Sequence, residues 1–123
     1  DVGLHALCDA IYGAIGEGDI GKHFPPSNAD YKEMDSTKFL EHAIALLRNK
    51  GGALINADVT IICEKPKIGC YREIMVDRVA QVMDIPRSRV NIKATTTEEL
   101  GFAGRKEGVA AQAIVSVTLP DKE

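Results

Sequence analysis

A chain of 123 residues with a formal net charge of −3 has the size of one ordinary domain and lacks the basic stripe of a broad nucleic-acid surface. No apolar run approaches the roughly 20 residues of a membrane span, and no secretory signal pattern opens the sequence. Three cysteines, Cys8, Cys63 and Cys70, are odd in number and lack CxxC spacing, which argues against a disulfide framework or a cysteine-zinc knuckle and for a reducing, cytosol-like compartment. With aromatics at 5% and no Trp, the core must be built from Ile, Val, Leu and Ala. Burying surface against sister subunits is one way for a domain of this size to gain stability.

In chain order, Leu4, Leu7, Cys8, Ile11 and Ile15 recur at helical spacing and predict a first helix, ended by Gly16 and Gly18. From Asp19 to Asp35 the polar, proline-containing stretch predicts a long loop, a length that is commonly functional. Asp35 or Ser36 is placed to cap a second helix with Phe39, Leu40, Ala43, Ile44 and Leu47 on its apolar stripe, stopped by Gly51-Gly52. The β-branched run Ala53 to Cys63 predicts a buried strand, ended by Pro66. Ile74, Val76, Val79, Ala80, Val82 and Met83 predict a third helix, halted before Pro86. Val90 to Ala94 predicts a short strand, Thr95 to Gly108 a loop, and Val109 to Leu119 a closing strand. The order α-α-β-α-β-β indicates a single α+β domain over residues 1–123, with one sheet faced on one side by helices.

Several positions carry chemistry. His5 shares a helical face with Asp1 and Asp9, four residues away on either side. A neutral imidazole there suits zinc, with a carboxylate to orient it; with no second or third ligand visible, a polar stripe on a helix surface is the plainer reading of the spacing alone. His23 falls in the long loop and His42 among polar helix positions, so neither adds a ligand. Thr95, Thr96 and Thr97 offer hydroxyls and backbone N–H groups to phosphate, and Glu98 can hold a hard cation; the plain alternative is a strand end with a capping box. Lys67 after the buried strand and Arg105 between glycines suit anions, or are solvated exits and turns. Cys8 and Cys63 read as small core residues, not nucleophiles. No phosphate-binding loop, dinucleotide fingerprint or Gly-x-Ser-x-Gly occurs.

Taken together and in order, several segments resemble the 2-C-methyl-D-erythritol 2,4-cyclodiphosphate synthase family. Asp1 to Ala10 (DVGLHALCDA) resembles its first-helix motif, and Gly18 to Pro25 (GDIGKHFP) its GDIG-x-x-FP segment. Asp58 to Ile62 with Pro66-Lys67 resembles its central strand and exit. Val90 to Glu98 (VNIKATTTE), Leu100-Gly101-Phe102 and Gly104-Arg105-x-Glu107-Gly108 resemble its C-terminal signature.

The resemblance implies a cytoplasmic, or in plants and apicomplexans plastid, enzyme of non-mevalonate isoprenoid precursor biosynthesis. It is a homotrimer with active sites between neighbouring subunits. The 2-phosphate of 4-diphosphocytidyl-2-C-methyl-D-erythritol 2-phosphate attacks the β-phosphorus and CMP leaves. By resemblance His5 is a zinc ligand whose co-ligands lie upstream of Asp1. Glu98 lies near a second divalent ion, magnesium or manganese, that bridges the α- and β-phosphates. Thr96 is the catalytic, phosphate-stabilising threonine, with Thr95 and Thr97 beside it. Asp19, Ile20 and Gly21 hold the erythritol hydroxyls, and Phe24, Pro25, Pro26, Ser27 and Asn28 form the neighbouring substrate loop. Cys63, Glu64, Lys65, Pro66, Lys67, Ile68 and Gly69 form the cytidine pocket, mostly through backbone groups. Phe102 and Arg105 lie near a hydrophobic cavity on the trimer axis. The sequence departs from the family in two ways. Pro26 stands where the family often has an acidic residue, and the family's Asp-x-His pair, His-Ser pair and N-terminal strands do not occur. The expectation is a longer parent chain that carries them before Asp1. The alternative function is a non-catalytic trimeric module that binds a nucleotide or phosphate; a purely structural subunit leaves the polar loops unexplained.

Overall fold

The computed structural model describes residues 2–31, 34–64, 71–101 and 108–121. Helix α1 spans Val2–Ala14, and its buried residues Leu7, Cys8, Ile11 and Tyr12 repeat at the i, i+1, i+4, i+5 positions of one helical stripe. Gly16, at φ +70°, breaks it in the left-handed region that glycine enters at no steric cost. Helix α3, Ser36–Asn49, starts where the Asp35 side chain accepts the Thr37 N–H, as a short capping side chain does. Its stripe of Phe39, Leu40, Ala43, Ile44 and Leu47 is buried. After it, Gly52 is demanded by packing: a Cβ there would lie 2.5 Å from Leu47 Cδ1 and 2.8 Å from the Thr118 carbonyl oxygen.

The polar stretch expected to be one long loop contains more order than its composition suggests. A short helix α2 occupies Ile20–His23 and a 3-10 turn Ala29–Tyr31. Both exist because side chains supply caps that periodicity does not reveal. Asp19 accepts from the Lys22 N–H at 2.9 Å, and Asn28 accepts from the Asp30 N–H at 2.9 Å.

Strand β1, Ala53–Ile62, runs at the centre of a three-stranded sheet of order β2-β1-β3. It pairs in parallel with β2, Val90–Thr95, and antiparallel with β3, Ala110–Thr118. Between β1 and β2 the chain passes through α4, Arg72–Met83, as parallel neighbours require a crossover. Asp84 ends α4 in the left-handed conformation, φ 54°, with its N–H on the Ala80 and Gln81 carbonyls. Helix α4 starts two residues earlier than the apolar spacing predicted, and Cys63 lies just past the end of β1.

The helices pack on one side of the sheet, as expected. Alternate residues Ala57, Val59 and Ile61 of β1, with Val90 and Ile92 of β2, join Leu7, Ile11, Leu40, Leu47, Val79 and Met83 in one core. The opposite face carries Asp58, which accepts from Lys93 Nζ at 2.8 Å and Asn91 Nδ2 at 3.0 Å, and the exposed Ile114 on β3. Cys8 and Cys63 are buried, and burial pushes the Cys8 thiol up to about 12. That agrees with their reading as core residues rather than nucleophiles.

Candidate functional site

Because β1 and β2 are parallel, their C-terminal ends emerge on the same edge, the edge at which open α/β sheets receive ligands. Ile62 pairs with Thr95, and the Cys63 N–H extends the ladder by donating to the Thr95 carbonyl at 3.0 Å. Two residues further along each strand, Glu64 meets Thr97. The start of the segment read as a cytidine pocket therefore stands against the threonine run. Lys65, Pro66, Lys67, Ile68 and Gly69, and likewise Phe102 and Arg105, lie outside the described residues.

After β2 the chain reverses through Thr97-Glu98-Glu99-Leu100, closed by the Leu100 N–H on the Thr97 carbonyl at 3.1 Å. Its central residues, Glu98 at φ 55° and Glu99 at φ 66°, give it the geometry of a type I′ turn. Left-handed backbone costs a non-glycine residue about 1 kcal/mol. Local hydrogen bonds oppose that cost. The Glu64 carboxylate Oε1 accepts from the N–H groups of both Thr97 and Glu99, at 3.2 Å each. The Thr96 hydroxyl accepts from the Glu98 N–H at 3.3 Å, and the Thr97 hydroxyl donates to the Leu100 carbonyl. Thr95, Thr96 and Glu98 remain exposed. Thr95 thus ends β2, and the threonine run continues into a hydrogen-bonded turn with outward-facing groups, an arrangement that also fits the plain reading of a strand end leading into a short turn.

A second segment is built on α1. The Asp9 carboxylate accepts the Ile20 N–H at 2.8 Å, and Asp19 accepts the Lys22 N–H. Two carboxylates thus occupy the free N–H groups that open α2, where negative charge is favoured. Asp9, one of the two carboxylates that share the helical face of His5, also ties the Asp19-Ile20-Gly21 segment to the helix that carries His5. Phe24 follows and is not a free side chain. Its ring meets Tyr31, Phe39 and His42 edge-on, with centroids 5.0, 4.8 and 4.9 Å away. Pro25, Pro26, Ser27 and Asn28 are exposed, and the Asn28 N–H closes a turn on the Pro25 carbonyl at 3.0 Å.

His23 and His42, set aside on spacing, belong to this aromatic cluster. His23 stacks on Tyr12 with centroids 4.4 Å apart, and its Nε2 lies 2.7 Å from the Glu17 carbonyl. His42 Nδ1 lies 2.7 Å from the Tyr12 hydroxyl. Burial, then the neighbouring His23, hold His42 below the ordinary histidine value. The cluster braces α1, α2 and α3 against one another, which is a packing role.

His5 is exposed on α1, its ring edge-on to Phe39 with centroids 5.6 Å apart. Partial burial is the first cause that holds its imidazole below the ordinary value, which favours the neutral form a metal needs. Among the described residues, however, no group of three or more His, Cys, Asp or Glu side chains could hold a metal ion. The described residues by themselves do not complete a metal site.

A family model described as the YgbB family matches residues 1–118. The chain belongs to this family. It is 59% identical over 121 residues to the bifunctional enzyme IspD/IspF of Gluconobacter oxydans and 58% identical over 120 residues to that of Caulobacter vibrioides; each match covers 98% of this chain and 31% of the relative. The chain thus spans about a third of the length of these curated relatives. Among solved structures, the bifunctional IspDF of Campylobacter jejuni superimposes with a TM-score of 0.94 at 40% identity, over 98% of this chain and 33% of that one. An IspF of Plasmodium falciparum in complex with CDP gives 0.85 at 30% identity, over 99% of this chain and 72% of that one. A 2C-methyl-D-erythritol-2,4-cyclodiphosphate synthase with bound CDP gives 0.84 at 32% identity, over 94% and 74%. This YgbB-family domain accordingly shares the IspF fold.

Proposed function

We propose that the domain is a 2-C-methyl-D-erythritol 2,4-cyclodiphosphate synthase of non-mevalonate isoprenoid precursor biosynthesis. It converts 4-diphosphocytidyl-2-C-methyl-D-erythritol 2-phosphate into the cyclic diphosphate and CMP. The observation that carries the reading is the juxtaposition at the sheet edge: the strand exit read as a cytidine pocket and the threonine turn read as a phosphate site emerge side by side. The likeness to relatives of that name, two of them solved with CDP, supports the same assignment.

The 2-phosphate oxygen forms a bond to the β-phosphorus, and the bond from that phosphorus to the oxygen bridging it to the α-phosphate breaks, releasing CMP. Such a transfer needs positioning and charge stabilisation more than covalent help from the protein. Thr96 donates to the phosphate oxygens, with Thr95 and Thr97 beside it. Asp19 and Gly21 hold the erythritol hydroxyls, with Ile20 between them and residues 24–28 as the neighbouring loop. Cys63 to Gly69 receive the cytidine, mainly through backbone groups. His5 and Glu98 are the donors this chain offers to divalent cations, zinc at the first and magnesium or manganese at the second. Such ions neutralise phosphate charge. A homotrimer in which Phe102 and Arg105 approach the axis, working in a reducing cytoplasm, completes the proposal; the buried thiols Cys8 and Cys63 suit that compartment.

The test is CMP release and cyclic-product formation, followed by phosphorus NMR, from the purified complete protein with divalent metal. Thr96→Ala is expected to lower kcat by roughly a hundredfold, the usual cost of one oxyanion donor, and His5→Ala to remove bound zinc measured by elemental analysis. A trimeric, metal-loaded protein that binds CDP but releases no CMP would overturn the reading in favour of a non-catalytic binding module.

A further inference from the structure

We propose that Glu64 is a positioning residue: its carboxylate holds the turn that presents Thr96 and Glu98, and so sets the phosphate-handling groups relative to the nucleotide-binding strand exit. The inference rests on the synthase reading above and assigns the Glu64 side chain a task distinct from the backbone reading of cytidine.

Three observations carry it. First, the parallel register places Glu64 beside Thr97, since Ile62 faces Thr95 and both strands continue in the same direction. Second, a single oxygen, Glu64 Oε1, accepts from two backbone donors, the N–H groups of Thr97 and Glu99 at 3.2 Å each. These donors flank Glu98, so the contact fixes the backbone on both sides of it. Third, the turn so held is one that glutamates do not adopt readily: Glu98 and Glu99 sit at φ 55° and 66°, where the chain needs outside support to stay. The turn carries two glutamates of its own and borrows the Glu64 carboxylate. The charge of Glu64 is offset there by the two N–H groups it accepts, whereas the carboxylates of Glu98 and Glu99 project from exposed residues.

Loss of the Glu64 acceptor leaves the turn free to relax toward right-handed backbone. That would re-aim the Thr96 hydroxyl, which accepts the Glu98 N–H. Displacements of about 1 Å in positioning groups cost roughly a hundredfold in rate. What the turn requires of residue 64 is an acceptor oxygen rather than a charge, and glutamine supplies one at the same reach.

The experiment compares Glu64→Ala and Glu64→Gln with wild type in the complete protein. CMP release gives kcat and KM, calorimetry gives the affinity for CMP, and NMR gives amide hydrogen exchange at Thr97 and Glu99. In Glu64→Ala, kcat is expected to fall about tenfold to a hundredfold, CMP affinity to stay within about twofold, and the Thr97 and Glu99 amides to exchange at least about tenfold faster. Glu64→Gln is expected to recover kcat to within about threefold and to restore slow exchange. Unprotected Thr97 and Glu99 amides in the wild type would overturn the linkage, as would an unchanged kcat in Glu64→Ala. Loss of CMP affinity matching the loss of kcat/KM, with no recovery in Glu64→Gln, would also overturn it and assign the carboxylate to the ligand directly. A wild type with protected amides but no CMP release defeats the synthase reading and leaves the turn linkage standing, so the two failures are distinguishable.

Discussion

Two segments of the proposed site are fixed by the same device to different degrees. At α2 the backbone N–H groups meet two carboxylates, Asp9 from α1 and Asp19 from the helix's own N-cap. The segment also leads into Phe24, whose ring is wedged among Tyr31, Phe39 and His42. The turn after β2 has one carboxylate from elsewhere in the fold, Glu64, and its central residues are exposed. Two caps on different N–H groups and an aromatic wedge share the support of α2. On left-handed backbone, a single borrowed carboxylate supplements the turn's own Thr96 and Thr97 hydrogen bonds.

The contrast can be broken most forcefully at Phe24. Removing a half-buried ring that touches three others should cost about 2 kcal/mol, so urea unfolding of Phe24→Ala should show a lower midpoint with an unchanged slope. A midpoint equal to wild type would mean that the wedge does not brace α2. Next in size, Asp9→Ala should cost about 1 kcal/mol, the usual value of a lost cap. Because Asp19 persists, α2 amides should keep part of their exchange protection; complete loss would show that the two caps do not share the support. In the turn the sign reverses. Glu99→Gly relieves a left-handed glutamate at φ 66°, so it should raise stability by about 0.5 kcal/mol. A lowered melting temperature in Glu99→Gly would show that the turn is not strained.

The smallest expected effect concerns acid. His42 is held below the ordinary histidine value of 6.5, first by burial and then by His23, next to the Tyr12 hydroxyl. Since the folded value is depressed, the unfolded chain takes up its proton first as pH falls. Stability from this group is therefore present above the ordinary value and declines as pH drops through it. Between about pH 7.5 and about pH 5.5 the melting temperature of His42→Gln should fall less than that of wild type. An equal fall in both proteins would remove His42 as a contributor to acid sensitivity around α2.

Much of this protein is legible in its residues. Helical spacing located α1 and α3 because Leu7, Ile11, Leu40 and Leu47 bury one stripe each, and β-branched content located β1 because such side chains suit a buried, pleated strand. Asp35 and Gly51-Gly52 marked the ends of α3 because caps and left-handed breaks demand particular side chains. The segments resembling the family lie in order along the chain and led to the fold that the solved relatives share.

What the sequence did not disclose depends on partners distant in the chain. Asp9 faces His5 by helical arithmetic, yet its carboxylate is taken by Ile20, eleven residues away. His42, ordinary among polar neighbours, acquires Tyr12 from thirty residues earlier. Glu64 meets Thr97 and Glu99 only because β1 and β2 run parallel in a particular register. Local spacing fixes which face of an element a side chain occupies. Which backbone group waits on the other side is decided when elements pack, because register and crossover direction are properties of the assembled sheet and not of either strand alone.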